Sequence, residues 1–230
     1  MSKLIYWTLQ NDCPQIWKDK FFSLNFTIHH SPLIKLCLTN KYFIIPESVN
    51  KFDALIVSSK FSAQNVSNIL KEKKIPFYAV GKYASRILQD AGHEVLHISE
   101  NSEDLAHYLK ENTTKRILHL CSEKSNVGLW PPYIKTLPFY KPVEDTEFNL
   151  PNDYIDDNSI VVFGSPSGVD MWFTKEIDSS SMIFAAMGKT TANRFISYMN
   201  KSIITPESST IDDLCKAIYN QLKVPHYEEK

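Results

Sequence analysis

Hydroxyl-bearing residues and glycines directly follow several predicted strands, in the pattern of turns that bind anions. One group contains Ser59 and Ser62, and a second group contains Ser165 and Ser167. Two further turns combine glycine with lysine, and their residues are Gly81, Lys82, Gly188, Lys189, Thr190 and Thr191. Backbone N–H groups at a helix start bind anions, glycine lets the backbone approach a ligand, and lysine adds a mobile positive charge. The pattern predicts a ligand site at these turns.

The same turns have a second interpretation, which is compatible with the first. Serine and threonine are preferred at helix N-termini because their oxygens accept a hydrogen bond from an N–H group of the first turn. A role as a helix cap would be enough to account for each serine and threonine at these turns. Lys82 and Lys189 could likewise be ordinary solvent-exposed charges. The matched positions of the residues in two pairs of turns are what favour a ligand.

Most other kinds of site lack their sequence motif. Neither the dinucleotide fingerprint G-x-G-x-x-G nor the P-loop G-x-x-x-x-G-K-[ST] occurs. Cys121-Ser122 follows a predicted strand without the G-x-S-x-G elbow of a nucleophile, and a buried thiol explains it. The histidines show no H-E-x-x-H or similar spacing; they include His93, His97, His107 and His119. We therefore expect no metal site.

Length and composition limit the class of protein. The 230 residues, 43% of them hydrophobic, suffice for one large or two small domains. A net charge of -1 argues against a nucleic-acid partner bound mainly through phosphate contacts. The four widely spaced cysteines favour free thiols in a reducing compartment. The sequence shows neither a secretory signal nor an apolar run of about 18 residues, so we expect a cytoplasmic protein without a membrane partner.

Short apolar runs alternate with segments of helical periodicity, which predicts an α/β fold with parallel sheets and helices on both faces. The predicted strands are Lys3–Thr8, Thr27–His30, Ala54–Ser58, Phe77–Val80, Glu94–Ile98, Ile117–Leu120, Ile160–Phe163, Ile183–Met187 and Ser202–Ile204. The predicted helices are Gln15–Leu24, Ala63–Lys73, Tyr83–Ala91, Ser102–Lys110, Val169–Lys175, Thr191–Met199 and Ile211–Leu222.

A repeat with a period of about 106 residues divides the chain into two similar parts. Ile56–Ala63 recurs in outline as Val162–Val169, and Ala79–Ser85 recurs more closely as Ala186–Ala192. A third, weaker echo pairs Glu100–Leu105 with Ser209–Leu214. Three echoes in the same order predict two similar α/β domains.

One of these domains is predicted to be discontinuous. The segment after Ser159 supplies three strands, and the N-terminal strand–helix–strand would complete its sheet. We therefore predict one domain from residues 1–32 and 146–230, with the second domain, 38–137, inserted. Residues 33–37 and 138–145 are expected to be connecting strands, in stretches of the chain that carry prolines. Because ligands of open parallel sheets bind at the carboxyl ends of the strands, the repeated turns are expected to face one cleft.

At these turns the chain resembles the uroporphyrinogen-III synthase family. The resemblance is clearest in Val161–Gly168, Phe184–Ala192 and Thr205–Ile218, and it extends in order over nearly the whole chain. Tyr140 matches the tyrosine of the family's return linker. Two departures stand out. The family's opening Thr-Arg-Pro keeps only its threonine, Thr8, and its Gly-Pro is Gly-Lys in both turns.

The resemblance implies an enzyme that closes the linear tetrapyrrole hydroxymethylbilane into uroporphyrinogen III. The last pyrrole ring is inverted and water is lost, so the class is a lyase. It also implies two α/β domains joined by a two-stranded connector, a monomer, and no metal or organic cofactor. Tyr140 is the candidate general acid, because a phenol stays protonated at neutral pH. The substrate carries many carboxylates, and the binding candidates are Thr8, Ser59, Ser62, Gly81, Lys82, Ser165, Ser167, Gly188, Lys189, Thr190 and Thr191.

Two alternatives stay open at this point. The chain could be a non-catalytic module whose two lobes close on a small anion, which predicts saturable binding without turnover. Tyr140 could be an aromatic residue that only packs beside the linker.

Overall fold

The chain is described here by a computed structural model over residues 3–150, 159–175, 177–178 and 180–223. It divides into two compact units. The discontinuous unit consists of Met1–Lys35 and Val143–Lys230, and the inserted unit is Leu36–Pro142. The exact limits predicted for the two folding domains stay a prediction.

Ten strands and eight α-helices form the two units within the described residues. The strands are β1 (Lys3–Trp7), β2 (Phe26–His30), β3 (Ile34–Leu38), β4 (Ala54–Val57), β5 (Phe77–Val80), β6 (Val95–Ser99), β7 (Ile117–Ser122), β8 (Lys135–Glu144), β9 (Ile160–Phe163) and β10 (Ile183–Ala186). The helices are α1 (Gln15–Phe22), α2 (Ile45–Ser48), α3 (Lys60–Ile69), α4 (Lys82–Asp90), α5 (Ser102–Asn112), α6 (Pro166–Phe173), α7 (Lys189–Arg194) and α8 (Ile211–Lys223).

The sheet of the discontinuous unit has the order β10-β9-β1-β2, and all of its strand pairs are parallel. The N-terminal strand β1 pairs with β9, in the register Tyr6 opposite Val161. This confirms the prediction that the N-terminal strand–helix–strand completes the C-terminal sheet. A strand from the start of the chain therefore lies at the centre of the sheet, so the unit forms only when both ends of the chain are in place.

Alternating residues of the central strands fill two cores, one on each face of this sheet. Ile5 and Trp7 pack on one face with the buried residues of α1 and α8. Tyr6 and Phe163 pack on the other face with Trp172 of α6 and Phe195. Burial on both faces explains why these strands read as continuous apolar runs instead of alternating ones.

The inserted unit has a six-stranded sheet in the order β3-β8-β7-β4-β5-β6, and the strand pairs from β8 to β6 are parallel. Leu55, Val57 and Leu120 contribute to a core with residues of α3 and α4. Ala54 and Ile56 point into a second core with Leu105 and Leu109 of α5. The predicted class, parallel α/β with helices on both faces, is thus confirmed in each unit.

The strands β3 and β8 cover most of the residues that we predicted as connecting strands. They are neighbours in the six-stranded sheet, and β8 begins at Lys135, three residues before the predicted start. At one end of the pair, Thr39 N donates to Phe139 O at 2.8 Å. Both strands belong to a larger sheet, and a separate two-stranded connector stays a prediction.

One predicted strand is wrong, and one helical segment was not predicted. The segment Ser202–Ile204 forms only an isolated bridge, from Ile204 to Ala185. Residues Asn40–Lys51 form α2 flanked by two 3-10 turns, the first capped by Thr39 through the N–H of Lys41. The segment is divided into helical pieces of 5, 4 and 3 residues. Periodicity identifies helices over longer windows, so it did not detect them.

Phe163→Ala tests how strongly the discontinuous unit depends on its aromatic core. Phe163 is fully buried, and its ring centroid lies 5.3 Å from that of Phe195 and 5.7 Å from that of Trp172. We expect the free energy of unfolding in urea to fall by about 3–5 kcal/mol, because the truncation leaves a cavity. The matched control is Phe22→Ala, whose side chain is 73% exposed. Equal effects of the two changes would contradict this assignment of the core.

Candidate functional site

The turn from β4 to α3 in the inserted unit is closed by Ser59. This residue is the N-cap of α3, with extended backbone (φ -153°, ψ 156°), and its Oγ accepts a hydrogen bond from Ser62 N at 3.0 Å. The hydroxyl of Ser62 is fully buried and donates to Leu120 O at 2.7 Å. Ser59 therefore presents its hydroxyl at the turn, whereas the Ser62 hydroxyl joins α3 to β7. A role of either residue in substrate binding stays a prediction.

Tyr140 lies beside this turn. Its phenol oxygen and Ser59 Oγ are 2.8 Å apart, and its ring packs on Phe61 at 4.9 Å. The side chain is 4% exposed, and burial raises the pKa of the phenol above its ordinary value of 10.0. Tyr140 is thus protonated at neutral pH, as a general acid must be. It also packs in the core of the inserted unit, so the two roles considered for it are compatible.

Ser58, the residue before Ser59, is hydrogen-bonded to a buried histidine ring that no sequence motif indicated. His119 of β7 is 1% exposed, and its Nε2 is 2.9 Å from Ser58 Oγ. Its ring packs on Trp130 with the centroids 4.5 Å apart. Burial lowers the pKa of His119 to about 3, so the imidazole is neutral. Within the described part of the chain, Nδ1 of His119 is buried without a hydrogen-bond partner.

Sequence reasoning missed this pair because it considered histidines only as metal ligands. Ser58 and His119 are 61 residues apart, and no motif links them. The one available signal was a histidine inside an apolar strand, Ile117–Ser122, whose other residues are mostly buried.

Gly81 forms the turn from β5 to α4 with a backbone that other residues rarely adopt. Its angles are φ 81° and ψ 142°, and its N–H donates to Ser99 O at 2.8 Å. No side chain caps the start of α4, so the first N–H groups of this helix have no side-chain acceptor among the described residues. Lys82 follows at the start of the helix and is exposed. These features fit the predicted anion-binding turn, and substrate binding by Gly81 and Lys82 stays a prediction.

The discontinuous unit repeats the first turn closely. Ser165 is the N-cap of α6, with backbone angles (φ -157°, ψ 158°) close to those of Ser59, and it accepts from Gly168 N at 3.3 Å. Ser167 lies in the first turn of α6 and is partly exposed. The repeat found in the sequence is therefore also a repeat of backbone conformation at Ser59 and Ser165.

The turn from β10 to α7 holds four further candidates. Gly188 has an extended backbone, and a Cβ there would lie 2.5 Å from Ser209 Oγ, so a side chain at this position would require the exposed hydroxyl of Ser209 to rotate away. Lys189 and Thr190 are exposed at the start of α7, whereas Thr191 is 5% exposed. As at Gly81, no side chain of the described residues caps the helix.

Thr8 follows β1 and is buried. Its Oγ1 donates to Val162 O at 2.7 Å, and its N–H points to the same oxygen at 3.3 Å. The hydroxyl proton is therefore used to join β1 to β9. Binding of substrate by Thr8 stays a prediction.

Parallel pairing determines which candidates lie together. The carboxyl ends of neighbouring parallel strands share one edge of a sheet, so Ser58, Ser59 and Gly81 lie on one edge of the inserted unit. Thr8, Ser165 and Gly188 lie on the corresponding edge of the discontinuous unit. Each unit therefore carries its own set of helix-start N–H groups, hydroxyls and a lysine.

Metal clusters and membrane spans are both lacking in the part of the chain that the structure describes. Its residues contain no group of three or more His, Cys, Asp and Glu side chains that could hold a metal ion. They also contain no helix with the length and apolar character of a membrane span.

Gly81→Ala tests the backbone of the predicted anion-binding turn. A Cβ at Gly81 would meet no atom within 4 Å, so any cost comes from its positive φ. We expect a loss of about 1–3 kcal/mol in the free energy of unfolding, because this backbone region is accessible almost only to glycine. Gly128→Ala is the control, since its φ is not positive and its nearest atom would be 3.5 Å away. A Gly81→Ala protein as stable as this control would contradict the prediction.

Comparison with known proteins identifies the family. The family model for uroporphyrinogen-III synthase HemD matches residues 17–216. Uroporphyrinogen-III synthetase from Helicobacter pylori is similar in structure, with a TM-score of 0.66 at 16% identity, covering 97% of this chain and 100% of the other. A mutant uroporphyrinogen III synthase from Thermus thermophilus gives a TM-score of 0.65 at 14% identity, covering 96% and 99%. No curated protein sequence matches the chain. At such identities the solved structures show the fold, and the family model shows that this chain belongs to the uroporphyrinogen-III synthase (HemD) family.

Proposed function

We propose that the protein is a uroporphyrinogen-III synthase, which closes hydroxymethylbilane into uroporphyrinogen III. The observation that carries the proposal is the family match over residues 17–216, which includes the helix-start turns of both units. The activity belongs to tetrapyrrole synthesis of the haem type. This family membership does not favour the alternative of a non-catalytic anion-binding module.

The proposed substrate fits the chemistry of the turns. Hydroxymethylbilane is a flexible polyanion, because each of its pyrrole rings bears carboxylate arms. The chain as a whole has a net charge of only -1, so attraction must be local. The starts of α4 and α7 have no side-chain cap among the described residues, and with Lys82 and Lys189 they offer N–H groups and positive charge to carboxylates. We propose that these turns hold the arms of the substrate.

Tyr140 is proposed as the acid of the first chemical step. Ser59 Oγ accepts a hydrogen bond from Ser62 N, so its own proton is free to be donated to the phenol oxygen of Tyr140. The phenol proton then remains available to the hydroxyl that leaves the first ring. The C–O bond breaks, water departs, and the electrons of the pyrrole produce an electrophilic azafulvene. The hydrogen bond from Ser59 stabilises the negative charge that develops on Tyr140.

Ring closure requires positioning more than further acid–base chemistry. The substituted carbon of the last ring attacks the azafulvene carbon, and rearrangement of that ring gives the inverted isomer. The proton that the last ring loses restores the phenol of Tyr140, so the sum is loss of one water. Holding one conformer of a flexible chain supplies much of the rate enhancement. No metal ion or organic cofactor takes part in this proposal.

The proposal extends to reaction class, oligomeric state and location. The reaction eliminates water, which makes the enzyme a lyase. The protein acts as a monomer, and it acts in the cytoplasm without a nucleic-acid or membrane partner. The near-neutral charge and the four free cysteines support the cytoplasmic location and the lack of a nucleic-acid partner.

The decisive experiment supplies hydroxymethylbilane to the protein and separates the product isomers by chromatography. Spontaneous closure yields isomer I, so enzymatic formation of isomer III is the expected result. Isomer I alone, at the rate seen without protein, would overturn the proposed function.

Tyr140→Phe tests the proposed acid. We expect kcat to fall by about 100-fold or more, in the range typical of general acids, while the fold is retained because only one hydroxyl is lost. Tyr133→Phe is the matched control. Tyr133 precedes β8, so it lies at the amino-terminal ends of the strands, and its hydroxyl donates to Leu109 O at 2.9 Å. A Tyr140→Phe enzyme as fast as this control would remove Tyr140 from the acid role.

A further inference from the structure

The hydrogen bond between Ser58 and His119 lies beside Ser59 and Tyr140, and the proposed mechanism does not use it. Ser58 directly follows β4 and is partly exposed, whereas His119 is 1% exposed. Ser58 Oγ and His119 Nε2 are 2.9 Å apart. Consecutive hydroxyls at one strand end are therefore each held by a buried ring, the first from β7 and the second from β8.

The tautomer of His119 follows from its burial. The ring is neutral, so one nitrogen carries a proton and the other has a lone pair. In the part of the chain that the structure describes, Nε2 has Ser58 as its partner and Nδ1 has none. A proton on Nδ1 would leave a buried donor unsatisfied, and orphaned N–H groups are rarer than under-satisfied acceptors. The proton therefore lies on Nε2, which donates to Ser58 Oγ.

This direction determines what Ser58 can offer a ligand. Its oxygen accepts from His119, so its own O–H proton is free to be donated. The described residues supply no second hydrogen-bond partner for this hydroxyl. Contact with Trp130 holds the imidazole ring, at 4.5 Å between centroids, so the donor to Ser58 is fixed in place. A hydroxyl so oriented at a strand end suits a carboxylate acceptor.

We propose that His119 is a positioning residue for substrate binding: through Nε2–H it orients the Ser58 hydroxyl as a donor to a carboxylate arm of the bound tetrapyrrole. The inference rests on the proposed function, because the carboxylate belongs to that substrate. It adds Ser58 and His119 to the candidates and explains why a histidine with an unsatisfied nitrogen occupies the centre of an apolar sheet.

The kinetic test compares three single variants and one double variant. Loss of one hydrogen bond to a charged group raises KM by about tenfold, so we expect that rise with nearly constant kcat for Ser58→Ala and for His119→Phe. His119→Gln keeps an N–H donor near the position of Nε2 and is expected to restore most of the KM. The double variant of Ser58→Ala with His119→Phe is expected to match Ser58→Ala alone, because His119 acts through Ser58. Additive effects, or an unchanged KM in Ser58→Ala, would overturn the inference.

The matched control is His93→Phe. His93 is also buried and packs against an aromatic ring, that of Phe77 at 5.0 Å, but it precedes β6 at the amino edge of the sheet. The KM of the His93→Phe variant is expected to equal that of the wild type. If the wild type formed no isomer III, the proposed function would fail. An active wild type with unchanged KM in His119→Phe would defeat the positioning role alone.

A measurement on the unmodified protein keeps the inference testable if His119→Phe does not fold. The ¹⁵N chemical shifts of the two His119 ring nitrogens, measured at neutral pH, distinguish the tautomers. We expect Nε2 to carry the proton. A proton on Nδ1 would reverse the hydrogen bond to Ser58 and overturn the proposal.

Discussion

Parallel strand pairing is the constraint on which the rest of this protein depends. It brings the carboxyl ends of the paired strands to one edge of a sheet, and each following helix then begins at that edge with N–H groups that its own turns cannot satisfy. The N–H groups at the helix starts are found in two arrangements. Ser59 and Ser165 satisfy them with a hydroxyl, whereas the glycine turns before α4 and α7 leave them without a side-chain acceptor among the described residues.

The two arrangements fit different tasks. A capped turn has a defined geometry, so a hydroxyl there can be oriented by a neighbouring ring, as Tyr140 and His119 do in the inserted unit. An uncapped turn leaves N–H groups and a lysine without such a partner, which would suit a charged ligand such as the proposed substrate. A flexible polyanion needs both kinds of contact, because it must be attracted and also held in one conformation. Duplication of the turns gives each unit a share of both.

The echoes in the sequence predicted these turns because the requirement there is local. A serine cap and a glycine with positive φ depend on a few consecutive residues, so their spacing survives in the sequence. The predicted start of α3, Ala63, lies after the observed start, Lys60. Periodicity detects the first buried apolar residue, Ala63, whereas the helix begins after its cap, at Lys60.

Other features could not be predicted, because distant parts of the chain decide them. Ser202–Ile204 has strand-like composition, but only Ile204 has a partner in the sheet. The hydrogen-bonded pair of Ser58 and His119 exists because β4 and β7 are neighbours, with Ile56 opposite His119. The hydrogen-bond partner of a histidine in an apolar strand can be identified only when the neighbouring strand is known.

The sequence by itself determined the α/β class, the duplication, the discontinuous order of strands and the position of the turns, since each is written in local periodicity or in consecutive residues. Only the tertiary structure decided which hydroxyls are used within the protein and which are presented. The Thr8 and Ser62 hydroxyls donate to carbonyls of neighbouring strands, and the Ser59 hydroxyl is bonded to Tyr140 of β8. Among the described residues, the Ser58 hydroxyl has only the ring of His119 as its partner. The physical reason is that a hydroxyl's partner depends on sheet pairing across many residues, which no local pattern records.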